Sequence, residues 1–255
     1  MMTLWAASLA ALTIPMFFLW LYSLRHNDVT VVDSFWGPGF SVVALTGLLV
    51  EGASPRGLIL SLLVAAWGLR LGLYLHRRNH GKGEDARYQK IRAGYGPSFR
   101  WKSLYVVFGL QGLLISVVGL PLLAAIASDA PLGPMDAVGL GLWITGFLFE
   151  SIADAQLSAF KADPGSKGRV MDRGLWRYSR HPNYFGEFCV WWGFFFMALG
   201  TGAWWSIASP LLMSLLLLRV SGVTLLEKDI GQRRPAYAAY VARTSAFFPR
   251  PGRSP

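Results

Sequence analysis

Seven apolar stretches run along the chain, at roughly 3–24, 35–50, 56–76, 104–127, 135–160, 184–200 and 203–226, with polar residues gathered in the segments between them. Most approach the ~20 residues that an α-helix needs to cross a bilayer. The second and sixth are short, which tilt or shielding by neighbouring helices accommodates. The pattern predicts an all-α integral membrane protein of seven transmembrane helices. It reads as a single domain over residues 1–255, because no 20–50-residue repeat and no Pro/Ser-rich linker divides it. The opening MMTLWAASLAALTIPMFFLWLYSL has no charged leader and is too long for a signal-peptide core, so it is expected to be a retained span.

Charge orients these spans. Of the 24 Lys and Arg residues, Arg25 falls in the first loop, eight in 77–102, six in 161–183 and six in 227–255, while the alternate loops carry only Arg56. The positive-inside rule then predicts an external N-terminus, with loops one, three and five and the C-terminal tail in the cytoplasm. A net charge of +10 would point to nucleic acid in a soluble chain. Here the cations lie between apolar runs, in a chain that is 53% apolar, and no nucleic-acid partner is expected. The sole cysteine, Cys189, falls inside a predicted span, which excludes an intramolecular disulfide and a cysteine metal cluster. His26, His76, His80 and His181 have no zinc-type spacing, so no metal is expected. GxGxxG and GxxxxGK[ST] are both absent, which removes support for a Rossmann or P-loop site. The compact basic chain fits a bacterial inner membrane.

Ionisable residues inside spans are expensive in lipid and mark candidate chemistry. Glu150 and Asp154 lie four apart on the fifth span, with Lys161 seven further on, near one helix face. The alternative is a face that snorkels to the headgroups. On the third span Arg70, Tyr74 and Arg77 share a face; a phenol beside an arginine can donate to a carbonyl, or anchor the helix at the interface. Arg219, with Glu227 eight residues on, ends the seventh span. Near the second, Asp33-Ser34-Phe35-Trp36-Gly37-Pro38 sets an acid before an aromatic, and a lone Asp there also reads as a helix cap. The glycine-punctuated 80–88 segment reads as a loop closing over a cofactor or as a solvated surface loop. Four segments thus carry polar stripes at similar depth, which points to a cavity open to the cytoplasm.

The densest stretch is GLWRYSRHPNYFGEFCVWWG, residues 174–193. Pro182 suits the first turn of a helix, so 183 onward is predicted helical, with Asn183 and Glu187 on one face. Its unpaired N–H groups would point at a loop holding Arg173, Arg177, Arg180 and His181, a plausible seat for phosphate. The plain alternative is a basic loop anchoring a helix at the headgroups.

From these residues the chain resembles the membrane steroid 5α-reductase family, in particular its bacterial branch of uncharacterised homologues. The likeness is strongest over 139–250 and rests on Glu150-x-x-x-Asp154, Gly174-Leu175-Trp176, Asn183-Tyr184-Phe185-Gly186-Glu187, Arg219, Tyr237-x-x-Tyr240 and Phe248-Pro249. The turn at 180–186 alone is also similar to that of isoprenylcysteine methyltransferases. The resemblance implies a seven-helix enzyme that uses NADPH to reduce the C=C bond of a hydrophobic enone, typically a 3-oxo-Δ4 steroid, with no obligate protein partner. It implies that Asp154, Lys161, Asn183, Glu187, Arg219, His181, Tyr237 and the basic loop from Arg173 through Arg177 to Arg180 hold the dinucleotide. Glu150 and Glu227 join that set as departures, standing where the family usually has Asn and Tyr. Tyr74, with Asp33 or Glu187, is expected to polarise the substrate carbonyl, and Trp36 and Arg70 to contact substrate. The family's Gln-Glu pair in the second helix has no clear copy. Two rivals stand beside this reading: an S-adenosylmethionine-dependent membrane methyltransferase, and a non-enzymatic lipid-binding membrane protein. The intramembrane acids and numerous loop cations suit a phosphate-bearing cofactor better than a sulfonium.

Overall fold

A computed structural model of the chain describes residues 1–220, 223 and 236–251; they are helical, with no strand among them. Backbone contacts divide the chain into two compact units, Met1–Leu132 with Thr201–Ser206, and Gly133–Gly200 with Ile207–Pro255.

The first unit contains α1 (Met2–His26), α2 (Val31–Glu51), α3 (Pro55–Asn79) and α4 (Ala86–Tyr95). After α4 come α5 (Phe99–Ser103), a wide π turn over Leu104–Gly109, α6 (Leu110–Val118) and α7 (Leu120–Ile126). Local chemistry sets several ends. α1 stops at Asn27, whose left-handed φ of 51° lets its N–H return to the Ser23 carbonyl. α3 starts at Pro55, with Ser54 Oγ accepting the Gly57 N–H at 3.0 Å. Between α2 and α3 glycine meets glycine: a Cβ on Gly37 would stand 2.5 Å from the Gly68 carbonyl oxygen, and one on Gly72 2.7 Å from that of Ser34. Such small residues let backbones touch where apolar burial offers no drive. Arg56, the isolated cation of the alternate loops, is buried at the start of α3 and donates to the Ala130 and Pro131 carbonyls at 2.7 and 2.8 Å.

The second unit contains α8 (Pro134–Ala162), α9 (Pro182–Leu199), α10 (Ala208–Leu215) and α11 (Ala236–Arg243). α8 and α9 run antiparallel in close contact. A Cβ on Gly139 would lie 2.6 Å from the Gly193 oxygen, and Gly146 packs against Gly186 one pair further along. Eleven of the 18 residues of α9 are buried, so it is the core helix of its unit.

Five helical segments are long and apolar enough to cross a membrane: Met2–His26, Val31–Glu51, Pro55–Asn79, Ala86–Val118 and Pro134–Ala162. Trp204–Val220 is a shorter apolar helical run. α9 has the length but is diluted by Asn183, Tyr184 and Glu187. Two boundaries differ from expectation. The second span is a full 21 residues because the helix runs through Pro38 and begins at Val31. The fourth begins far upstream, at Ala86, and breaks at Gly119 before Pro121.

Candidate functional site

In the second unit, the segment leading into α9 is fastened from two sides. On one side, the buried Trp176 indole N–H donates to the Ala153 carbonyl of α8 at 3.1 Å, and the Leu175 N–H donates to Gln156 Oε1 at 3.0 Å. Gly174 holds a left-handed φ of 59°, and a Cβ there would have to push aside the Gln156 amide that accepts the Leu175 N–H. On the other side lies the segment from α11 to Arg250. The Tyr240 hydroxyl donates to the Trp176 carbonyl at 2.5 Å, and Ser179 Oγ to that of Phe247 at 2.7 Å. The Arg180 N–H reaches the Ser245 carbonyl at 2.8 Å, the Arg250 N–H reaches that of Tyr178 at 3.0 Å, and Arg243 pairs with Asp172. Burial pushes the Tyr240 phenol above its ordinary pKa.

One expected cofactor cation takes part in this fastening. Arg180 is buried, and its guanidinium donates to the carbonyls of Thr244 at 2.5 Å and Val241 at 3.3 Å, where α11 ends. A cation suits a helix C-terminus. His181 is also buried; its N–H donates to Ser179 Oγ at 3.1 Å and its ring stacks on Tyr184 at 5.6 Å. Arg173, Arg177, Lys161 and Arg219 are exposed. Among the described residues no carboxylate pairs with Arg173, Arg177 or Arg219. Arg219 lies in a wide π turn over Leu216–Val220, and Tyr237 is buried with its ring edge toward Tyr240 at 5.5 Å. Glu227 lies outside the described residues.

Pro182 opens α9 as the sequence predicts. One residue later the Asn183 amide donates to Asp154 Oδ1 at 3.2 Å. A turn further, Gly186 sits against α8 so closely that a Cβ there would be 2.5 Å from the Glu150 N atom. Glu150, Asp154 and Glu187 are 2%, 3% and 8% exposed. The α8–α9 pair therefore sets Asn183 on Asp154 and Gly186 on Glu150, with the buried Glu187 next along α9.

In the first unit the candidates are placed differently. Thr30, not Asp33, is the N-cap of α2, and Asp33 is the third helical residue. Its carboxylate accepts from the Tyr88 hydroxyl at 2.6 Å and from Arg87 at 2.8 Å. Arg87 also donates to Asp85, which caps α4 by accepting the Arg87 N–H at 2.9 Å. The Asp85 N–H in turn reaches Thr30 Oγ1 at 2.8 Å. Glu84 accepts from the Val29 N–H at 3.1 Å and from Nε and Nη2 of Arg92, each at 2.7 Å. The expected closing loop is thus tied to the start of α2. Burial raises the Asp85 carboxyl, but the hydrogen bonds and charge of Arg87 outweigh it and hold its pKa below the usual value. Tyr74 lies 5.9 Å from the Arg78 guanidinium, Trp36 meets the Phe40 ring at 5.2 Å, and Arg70 is half-buried. Arg87 and Tyr88 went unrecognised in the sequence. Their signal was an Asp-x-Arg-Tyr on a loop expected on the same membrane side as Asp33. No cluster of three His, Cys, Asp or Glu able to hold a metal occurs among the described residues.

Five membrane-length apolar helices make this an integral membrane protein, and the buried carboxylates give it a polar site within an otherwise greasy helix pair. The chain belongs to the family described as "Protein of unknown function (DUF1295)", whose model matches residues 19–244. It is 28% identical over 269 residues to an uncharacterized protein of Schizosaccharomyces pombe, C594.04c, covering 91% of this chain and 76% of that protein. It is 38% identical over 72 residues to human 3-oxo-5-alpha-steroid 4-dehydrogenase 1, covering 28% of this chain and 27% of the human protein. No solved structure gives a significant match.

Proposed function

We propose that the protein is an NADPH-dependent reductase of the C=C bond in a hydrophobic enone, with a 3-oxo-Δ4 steroid as the leading substrate class. The observation that carries this reading is the Asp154–Asn183 hydrogen bond at the start of α9, beside buried Glu150 and Glu187 and following a loop with exposed Arg173 and Arg177. That donor set fits a dinucleotide. Guanidinium groups with no carboxylate partner among the described residues suit phosphates, including a 2′-phosphate. Buried carboxylates and an amide suit ribose hydroxyls and a carboxamide. The short alignment with a protein named for a 3-oxo-5-alpha-steroid supports the substrate class.

When bound, NADPH would supply the hydride for the β-carbon of the enone, and solvent the proton for the α-carbon. On this reading Arg173, Arg177, Lys161 and Arg219 hold phosphate oxygens, and Asp154 and Asn183 fix the polar groups of the cofactor. Arg180 and His181 shape the loop. Tyr74 donates a hydrogen bond to the substrate carbonyl as negative charge develops there, and Asp33 holds α4 to α2. The same reading has seven crossings, an external N-terminus and cytoplasmic basic loops, in a bacterial inner membrane.

The test is thermal stabilisation of the detergent-purified protein by NADPH, NADH and S-adenosylmethionine in separate titrations. A ligand at a hundred times its Kd stabilises by about 2.7 kcal/mol. NADPH should stabilise, and Asp154→Ala and Asn183→Ala should each abolish the effect while remaining folded. A response to S-adenosylmethionine alone overturns the reading in favour of a methyltransferase. Unchanged NADPH binding by folded Asn183→Ala overturns the site.

A further inference from the structure

The first unit carries a cavity of about 330 Å³ on the outer surface of α1 and the α5–α6 segment, separate from the residues assigned above. Its floor is Leu12, Met16, Phe108 and Gly112, all buried, and its rims are the exposed Phe17 and Tyr105. The π turn at Leu104–Gly109 forms one wall. Widening a helix by one residue per turn displaces side chains that would otherwise fill a helix–helix seam.

The groove has a direction. α1 and the α5–α6 segment run antiparallel beside it, since the Trp20 indole donates to the Arg100 carbonyl at 3.2 Å while Met16 faces Gly112 deeper in the span. At the shallow end, Phe17, Trp20 and Trp101 form a continuous aromatic wall, with ring centroids 5.6 Å apart at each step. Tryptophan there marks the headgroup level. Two acids lie near that end, Asp28 just after α1 and Glu84 paired with Arg92 at 2.7 Å, but the residues flanking the aromatic wall are cations. Arg100 is exposed, Lys102 flanks Trp101 with its ammonium 5.1 Å from the Tyr95 ring, and Arg25 and His26 close α1. No Asp or Glu occurs in 2–26 or in 95–113. Glu84 is taken up by Arg92, and no ion pair among the described residues engages Arg100 or Lys102, so a hydrocarbon slot with these two cations beside its aromatic wall is complementary to a chain bearing an anionic head.

We propose that this groove is a binding site for an anionic glycerophospholipid, with one acyl chain along the α1–α6 seam and its phosphate at Arg100 and Lys102. A basic residue near the membrane surface favours an anionic lipid by about 1 kcal/mol, so two select it over a zwitterionic lipid by roughly tenfold or more. The bilayer alone would fill the groove with any acyl chain; the two cations make the occupant selective.

The experiment is native mass spectrometry of the purified protein after delipidation, with add-back of phosphatidylglycerol or phosphatidylcholine. The wild type should retain phosphatidylglycerol at least tenfold more readily. The double variant R100E/K102E should lose that preference while keeping its lipid-free melting temperature. Gly112→Leu, whose Cβ would meet Met16 at an ordinary 3.5 Å and whose side chain would fill the slot, should lose retention of both lipids. Inorganic phosphate should not compete, because the chain as well as the head is bound. Equal retention of the two lipids, or undiminished preference in the charge-reversed variant, overturns the site. Displacement of phosphatidylglycerol by progesterone, a 3-oxo-Δ4 steroid, would reassign the groove to substrate. None of these readouts involves NADPH, so failure here leaves the reductase reading standing.

Discussion

The α2–α3 pair and the α8–α9 pair are built by the same device and loaded differently. In both, glycines bring two backbones to within a distance that forbids a Cβ. Between α2 and α3 the contact is glycine on glycine, at Gly37 and Gly68, and the polar chemistry sits at the helix start, where Asp33 meets Arg87 and Tyr88. Between α8 and α9 the contact at Gly186 falls on Glu150, with Asp154 and Asn183 a turn away. Close approach in the first pair stabilises a scaffold; in the second it holds acids in place. Glycine packing alone therefore does not mark a site; at Gly186 it also sets α9 against the backbone N and Cβ of a buried acid, Glu150.

The sharpest way to break this division is to add a side chain at each contact. Gly186→Val and Gly68→Val should each lower the melting temperature, by about 3 kcal/mol of overpacking. Only Gly186→Val should also remove NADPH-dependent stabilisation in the same melts; its loss in both variants would show that the two pairs do not divide the work. Next, Arg87→Met should cost about 2 kcal/mol by leaving Asp33 without its charged donor. Adding Asp33→Asn should recover most of that, as read by chemical unfolding in detergent. An additive double variant would mean that the pair is not coupled.

The smallest expected effect is at Tyr240. Tyr240→Phe removes the hydroxyl from the Trp176 carbonyl and should cost about 1 kcal/mol. Its pKa is raised in the folded protein, whereas the unfolded phenol ionises near its ordinary value of 10.0. The contribution is therefore complete below pH 10 and is lost as pH rises beyond it. Melting curves from pH 8 to 11 should fall for the wild type and fall less steeply for Tyr240→Phe; parallel curves would place the titration elsewhere.

Helical class and most span positions were legible because apolar runs of bilayer length have few other outcomes. Pro182, and the shared face of Glu150 with Asp154 and of Asn183 with Glu187, were legible for the same reason, since helical spacing is local. What escaped was long-range. Arg180 reads as one more loop cation until Val241 and Thr244, more than 60 residues on, present their carbonyls to it. Asp33 reads as a cap until Arg87 and Tyr88, about 55 residues away, take its oxygens. Arg56 reads as a topological exception, but two backbone carbonyls 74 and 75 residues downstream explain it. A cation's partner sets its role, and sequence spacing does not name partners so distant.

The fastening of the 172–180 loop by residues 240–250 also fixes an order of events in synthesis. The ribosome makes the loop, α9 and α10 before Tyr240, Thr244 and Phe247 exist to hold it. Until those residues emerge, the loop has its bonds to Ala153 and Gln156 of α8 but lacks its second set of anchors. A nascent chain stalled before Tyr240 would insert its helices and still fail the last step of assembly, which makes residues 240–250 the point where a quality-control protease could tell a finished molecule from an unfinished one.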